Sequence, residues 1–488
     1  MSSFRRRLMM AAASSVNTKP YDAEVEYLVF DGNAYTTLPI RVSEVTDRLY
    51  MTFRLTDLTY QQRFASAYNE DIFNLYINGS GRVGFSRDGS WKTFSSNDAT
   101  KFDYAKHKLK LFHYVSAQNT GWEGFYDFLE FNGTETSDEV ATNDLMIGWT
   151  GGNNHQPLKG YLYDLSVSRS GVTDIARTKM VRVGNVGYIY DEISGQLRGS
   201  LGSSQFGVGP DKIDRTQQYL TFVMVQSGTF SFTNFDLQYS VDGGAWTTLT
   251  AGTSTPTISA GSRVRWKSSG YTPPSNSVRG TFSATGTFDI EGNIMSLIGG
   301  DNFAELTEIT NNAQFYSLFD GCSKVRNAEW MVLPATTIAT NSYRSLFDGS
   351  SLVIPPQVLP ATTVPSGAYQ AAFVNCSNLI ECPDIMATTL TGTNNMRWMF
   401  GNCTKLAVGP VLRSATLTGS CYRLMFDGCT KLRAVDMVAT DISATDCLVS
   451  WLNNVGSGGI LRKHTNTTLP SGTAGLPSGW TTQDTTTT

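Results

Sequence analysis

Between Ala313 and Leu452 one pattern recurs about every 27 residues. An aromatic residue, a two-residue turn and a cysteine or serine appear as Phe319-Asp320-Gly321-Cys322, Phe347-Asp348-Gly349-Ser350, Phe373-Val374-Asn375-Cys376, Phe400-Gly401-Asn402-Cys403 and Phe426-Asp427-Gly428-Cys429. A fixed period of this size predicts a stacked solenoid, because no unit can bury its apolar face alone and each relies on its neighbours.

Within each unit an aromatic, methionine or cysteine precedes the pattern aromatic by three or four residues: Tyr316/Phe319, Tyr343/Phe347, Tyr369/Phe373, Met396/Phe400, Tyr422/Phe426 and Cys447/Trp451. Those are helical spacings and predict a short helix with an inward apolar stripe. The Gly or Asn that follows suits a helix C-terminus turning through the left-handed region. Strand-like runs come next, as in Leu406 to Leu412 and Leu432 to Val438, then Thr-rich segments such as Leu333-Pro334-Ala335-Thr336-Thr337. Past Leu452 the period fails, and Trp451 and Trp480 are expected to close the open end.

The seven cysteines all follow residue 320, most at equivalent repeat positions, so they read as small buried hydrophobes and reduced thiols. No C-x-x-C pair occurs and His107, His113, His155 and His464 are scattered, so neither a metal nor a cofactor is expected. Leu-Pro-Ala-Thr-Thr imitates a sortase signal but recurs as a repeat element. Asn375-Cys376-Ser377 and Asn402-Cys403-Thr404 match the N-glycosylation pattern but coincide with the unit's turn.

At 488 residues the chain exceeds one hydrophobic core. Charged residues make up only 16% while turn formers and aromatics abound, which favours a multidomain, mainly β protein. A net charge of -4 offers no basic field for nucleic acid, and no apolar run is long enough to predict membrane insertion. Residues 1–20 carry Arg5, Arg6, Arg7, Leu8 and Met9, followed by an apolar stretch too short for a signal peptide. They read either as a docking peptide for a larger assembly or as a disordered tail.

Residues 21–212 alternate apolar and polar positions between Gly, Asn and Asp turns, which predicts an antiparallel sandwich. Tyr27-Leu28-Val29-Phe30-Asp31-Gly32 and Lys159-Gly160-Tyr161-Leu162-Tyr163-Asp164-Leu165 resemble the first and closing strands of concanavalin-like (laminin-G-like) jelly rolls. Such folds often bind glycans and some hydrolyse them. The E-x-D-x-x-E strand of the hydrolases has no counterpart, since Asp127-Phe128-Leu129-Glu130 lacks the third carboxylate and the spacing, so no catalytic residue is assigned. Loop residues Trp122, Trp149, Asn153, Asn154 and His155 are candidate glycan contacts, with indole faces for sugar rings and amides for hydroxyls. The alternative for both tryptophans is packing inside the sandwich.

Residues 213–304 predict a small β-sandwich linker domain, with Asp242-Gly243-Gly244 supplying the positive-φ positions of a tight hairpin. Ser240-Val241-Asp242-Gly243-Gly244-Ala245-Trp246 resembles the sialidase S-x-D-x-G-x-T-W box but is one residue short and occurs once, so it reads as turn chemistry. Residues 305–488 form the repeat region, which resembles BspA-like leucine-rich repeats, a family of bacterial surface adhesins and phage fibres.

Taken together, the jelly-roll-like start, the linking unit, the terminal array, the Arg5-Arg6-Arg7-Leu8-Met9-Met10 opening and the Ala439-Thr440-Asp441-Ile442-Ser443-Ala444 ending resemble fibre or appendage proteins of crAss-like and related Bacteroidales phages. The resemblance implies a non-enzymatic virion protein, assembled in the host cytoplasm and exposed on the virion surface. Its N-terminus would meet capsid or tail proteins and its array a host-surface polysaccharide or protein. A fibre is expected to be a homo-oligomer, dimer or trimer, because avidity multiplies weak contacts. The alternative is a bacterial cell-surface adhesin or carbohydrate-binding protein.

Overall fold

The computed structural model describes residues 20–485 apart from 41–46, 56–61, 68–73, 78–82, 88–89, 94–106, 116–119, 127–128, 136–144, 148–155, 170–172, 210, 269 and 273–277. The protein is mainly β, with several sheets.

In the first 190 or so residues the larger sheet follows the order Leu129–Glu135, Thr120–Tyr126, His107–Val115, Asp47–Leu55, Lys159–Arg169, Thr173–Val183, Val186–Asp191 and Gln196–Arg198. A second sheet contains Thr36–Leu38, Leu145–Ile147, Gln62–Ala67, Asn74–Ile77, Val83–Arg87 and Ser90–Thr93. The arrangement is consistent with a β-sandwich. Strand Leu28–Asp31 pairs antiparallel with Lys159–Arg169, Phe30 opposite Gly160 and Leu28 opposite Leu162, so the first and closing strands inferred from sequence are hydrogen-bonded neighbours. Period-two alternation explains the core: Leu28 and Phe30, and Leu165 and Val167, are buried while Val29 and Ser166 between them are less so, and a register shift after Leu162 keeps that residue inside too.

In the linking unit six strands form one sheet in the order Thr247–Leu249, Leu237–Val241, Arg263–Lys267, Leu220–Met224, Phe288–Asn293 and Val325–Val332. The two-stranded pair Phe230–Phe232 and Phe282–Ala284 packs on it, Phe222 lying 5.2 Å from Phe230 and 4.9 Å from Phe282. The expected hairpin turn is present, with Asp242 at φ +48, Gly243 at φ +79 and a Gly244 N–H to Val241 carbonyl bond of 2.8 Å. The sheet continues past residue 304: Phe288–Asn293 pairs in parallel with Val325–Val332, the first strand of the array, and one hydrophobic core runs from Leu220 to Trp480.

Each unit of the array is joined to the next by parallel strand pairs, among them Val358–Leu359 with Asp384–Ile385, Thr363–Val364 with Thr389–Leu390, and Val408–Leu412 with Ala434–Met437. Phe319, Phe347, Phe373, Phe400 and Phe426 stack face to face at 5.0, 5.8, 5.5 and 5.7 Å. Phe282 of the linking unit extends the column below at 5.5 Å from Phe319. Full burial of each ring contributes roughly 2–3 kcal/mol, and only the neighbouring units can provide it. The thiols explain the cysteines beside the rings. Cys376, Cys403 and Cys429 donate to the carbonyls of Phe347, Phe373 and Phe400 in the preceding unit at 2.9, 3.1 and 3.0 Å. All seven cysteines are free, and burial pushes Cys376, Cys421 and Cys429 up to about 12.

The short helix expected in every unit is absent. In its place stands a ladder of turns with a left-handed residue every fourth position: Asn341, Ser345 and Gly349 in one unit, Gly367, Ala371 and Asn375 in the next. Its N–H groups alternate in their use. Tyr343, Ser345, Phe347 and Gly349 donate across to carbonyls of the following unit, whereas Arg344, Leu346, Asp348 and Ser350 close turns onto the residue three before. Each backbone donor from Tyr343 to Ser350 is thereby satisfied without an α-helical i to i−4 bond. A four-residue turn repeat also brings side chains three and four apart onto one inner face, which is why the pattern imitates a helix.

Two of the expected pairings shift as well. Phe315, not Tyr316, stacks on Tyr343 at 5.8 Å. At the far end Phe426 N–H bonds to the carbonyl of Trp451, as Phe400 does to that of Met425, so Leu452 continues the phenylalanine column and Trp451 lies one position off it. Trp480 lies against the last units, its indole N–H donating to Gly456 carbonyl at 2.7 Å.

Candidate functional site

The outer face of the linking sheet carries a cleft of about 530 Å³ lined by Gln218, Tyr219, Asp242, Gly243, Arg263 and Arg265 among others. Strand alternation creates it. Phe222, Val264 and Trp266 point into the core, while Arg263, Arg265 and Lys267 emerge on the opposite face. Register then places Arg265 beside Thr221 on one neighbouring strand and beside Ser240 on the other.

Arg265 is the central cation. Its Nη2 donates to Ser240 Oγ at 2.9 Å, and that hydroxyl donates to Gly244 carbonyl at 2.7 Å, which ties the guanidinium to the Asp242-Gly243 turn. Its Nε is buried and, among the described residues, lacks an acceptor; Gln218 Oε1 is likewise buried without a donor. Arg263 is ion-paired with Glu291. Burial, and after it repulsion from Arg215, lowers the Arg263 pKa, while Asp242 acts in the opposite direction.

An aromatic rim borders these groups. Tyr219 meets Trp246 edge to face at 5.0 Å, and Arg265 and Lys267 approach the Trp246 ring at 5.4 and 4.3 Å. Tyr219 hydroxyl donates to Asp301 at 2.6 Å, and Lys267 reaches the same carboxylate at 2.7 and 2.9 Å. Burial, then the Asp301 hydrogen bond, raises the Tyr219 phenol to about 12, so it stays protonated. The Lys267 and Tyr219 hydrogen bonds hold the Asp301 carboxyl below the usual range. The site thus offers planar aromatic surface, fixed donors and acceptors, and a guanidinium with no carboxylate in ion-pair contact among the described residues. That equipment suits recognition of a polar or anionic ring-shaped ligand.

None of the site residues singled out from sequence lines this cleft among the described residues. Arg5, Arg6, Arg7, Leu8, Met9, Trp149, Asn153, Asn154 and His155 fall outside the described residues. Trp122 is not in a loop: its backbone sits inside strand Thr120–Tyr126, opposite His113 and Gly133. The strand is held by antiparallel pairing on both sides, with His107–Val115 and with Leu129–Glu135. Tyr219, Gln218 and Arg265 were not expected as site residues; the one available signal was the box from Ser240 to Trp246, which contributes the Asp242 turn and the rim indole.

No family model matches the sequence, and no curated protein matches it. Solved structures with similarity to part of the chain include the CBM40 of the Ruminococcus gnavus IT-sialidase bound to alpha2,3 sialyllactose, at 14% identity and TM-score 0.24, covering 29% of this chain and 88% of that one. A Bacteroides ovatus protein named for carbohydrate binding shows 11% identity and TM-score 0.27, covering 38% and 60%. A SAP-like pentraxin from Limulus polyphemus shows 14% identity and TM-score 0.23, covering 30% and 76%. Similarity at this level assigns neither a fold family nor a ligand to this chain.

Proposed function

We propose that the protein is a glycan-recognising attachment protein that binds saccharide without turning it over, and that the cleft beside Arg265 is a ligand site. The observation that carries this reading is the convergence in one cleft of the Tyr219 ring, the Asp242-Gly243 turn and the Arg263 and Arg265 side chains, with Trp246 packed edge to face on Tyr219. Hydroxyls or a carboxylate of a ligand would find donors and acceptors among the residues that line this cleft. In this reading the stacked units are a leucine-rich-repeat-like solenoid and the six-stranded sheet is its N-terminal cap.

The test is a printed array of neutral and acidic oligosaccharides probed with the intact protein, then with Arg265→Ala and Trp246→Ala variants whose melting is checked first. Both variants should lose their array signals by about tenfold or more, an effect near 1.4 kcal/mol. Undiminished signals from two folded variants would refute the site. Shortened chains after incubation with polysaccharide would refute the non-enzymatic reading.

A narrower version makes the protein a phage fibre, carried on capsid or tail through residues 1–20 and assembled as a homo-oligomer. Its support is the sequence resemblance, which spans nearly the whole chain. Virions that incorporate a protein lacking residues 1–20 at normal occupancy would contradict docking through that segment, and virions that hold no copy of the intact protein would leave the cell-surface adhesin.

A further inference from the structure

The middle left-handed position of the turn ladder is occupied in successive units by Ser317, Ser345, Ala371, Trp398, Leu424 and Ser450. Four of the six are small, as a left-handed backbone favours. Trp398 holds φ +59 with the bulkiest side chain available, a conformation that persists only where something compensates for it. Burial is not the compensation, because Trp398 remains 39% exposed, among the most solvent-facing large apolar side chains described in the array.

Its setting is adapted to the indole. A Cβ placed on Gly401 would overlap the Trp398 ring at Cδ1 and Nε1. The other units carry Asp320, Asp348, Val374, Asp427 and Asn453 at the position of Gly401. Glycine there lets the indole rest against backbone while much of the ring stays in water. Asn402, the next left-handed position of the same unit, is exposed, its Nδ2 donating to Asn375 Oδ1 at 2.9 Å. Leu424, the other large apolar residue in the column, is half-buried. One flat aromatic within a polar surround lacks the extended apolar core of a protein interface.

We propose that Trp398 is a stacking platform for a pyranose ring, giving the array a saccharide contact of its own, separate from the cleft beside Arg265. The indole takes the apolar face of the sugar, and the exposed Asn402 amide, four residues on in the turn ladder, takes a hydroxyl. A flat ring with an apolar face and polar edges suits a single exposed indole beside the exposed Asn402 amide.

The experiment uses Trp398→Ser in the intact protein, because serine already stands at this position in the units of Ser345 and Ser450. Its melting temperature should equal or exceed that of the parent, and the oligosaccharide-array signals of the parent should weaken by about tenfold or more. Trp398→Phe, keeping a smaller ring, should recover part of the signal. Unchanged binding by a folded Trp398→Ser protein overturns the inference, as does a clear drop in its melting temperature, which would make the indole structural. Running Arg265→Ala on the same array separates the two sites: loss there with retention in Trp398→Ser defeats the platform alone, and retention in both defeats both.

Discussion

Truncating Phe373 to alanine tests the stacked column where it has most to lose. The ring is fully buried and lies between Phe347 at 5.8 Å and Phe400 at 5.5 Å, with interplanar angles of 10° and 4°. Phe→Ala in such a site costs about 3–5 kcal/mol, the upper part applying where surroundings cannot collapse. Collapse is opposed here by backbone bonds that hold the units apart, Phe373 N–H to Met399 carbonyl at 2.9 Å and Asn375 N–H to Gly401 carbonyl at 2.8 Å. A loss of about 4 kcal/mol corresponds to roughly a thousandfold in an opening equilibrium. In an array coupled through nearest neighbours the loss falls mainly on the interface that the ring bridged. Native-state hydrogen exchange should therefore show amides from Tyr369 to Asn375 and in the units beyond accelerating by about that factor, while strand Leu220–Met224 changes less. Acceleration below about tenfold, or equal acceleration at both ends, would refute the argument that the rings couple successive units.

Tyr369 is fully buried and its hydroxyl has no partner among the described residues, so Tyr369→Phe should leave stability unchanged or raise it by about 1 kcal/mol; a urea midpoint lower by that amount would show that the hydroxyl is satisfied in solution. The buried thiols set an alkaline limit. An unfolded cysteine ionises near pH 8.5, whereas burial raises Cys376, Cys421 and Cys429 to about 12, so below pH 8 neither state ionises and the native state suffers no penalty. As pH rises between those values only the unfolded chain loses protons, and stability falls by roughly 2 kcal/mol per thiol at pH 10. Urea midpoints measured at pH 7 and pH 10 under reducing conditions check this, and equal midpoints would refute it.

The repeat was legible because its signals are local: a ring, a turn and a thiol at fixed offsets mark each unit whatever its neighbours are. Local signals also misled. Phe315 and Phe319 are four apart and both buried, as on a helix, but the left-handed residues Ala313 and Ser317 that make this a turn ladder are types that do not announce such a backbone. The Trp451 register failed for a related reason, since the aromatic residue looks like the column member while the hydrogen-bond ladder selects Leu452. The cleft was illegible because Ser240 and Arg265 stand on two strands, and Gln218 just ahead of a third, that meet only after the sheet forms. Only the Asp242 turn, a local feature, could be read in advance.

The phenylalanines of the column are separated by 28, 26, 27 and 26 residues, yet the rings superpose and the hydrogen-bond rungs stay aligned. Small differences in unit length are absorbed outside the ladder, so the quantity held constant is the rise between units, about 4.8 Å per strand spacing. Copying or deleting one whole unit therefore changes the reach of the protein by a fixed increment without altering any remaining contact type. Reach becomes countable, and duplication within the gene can adjust it one step at a time.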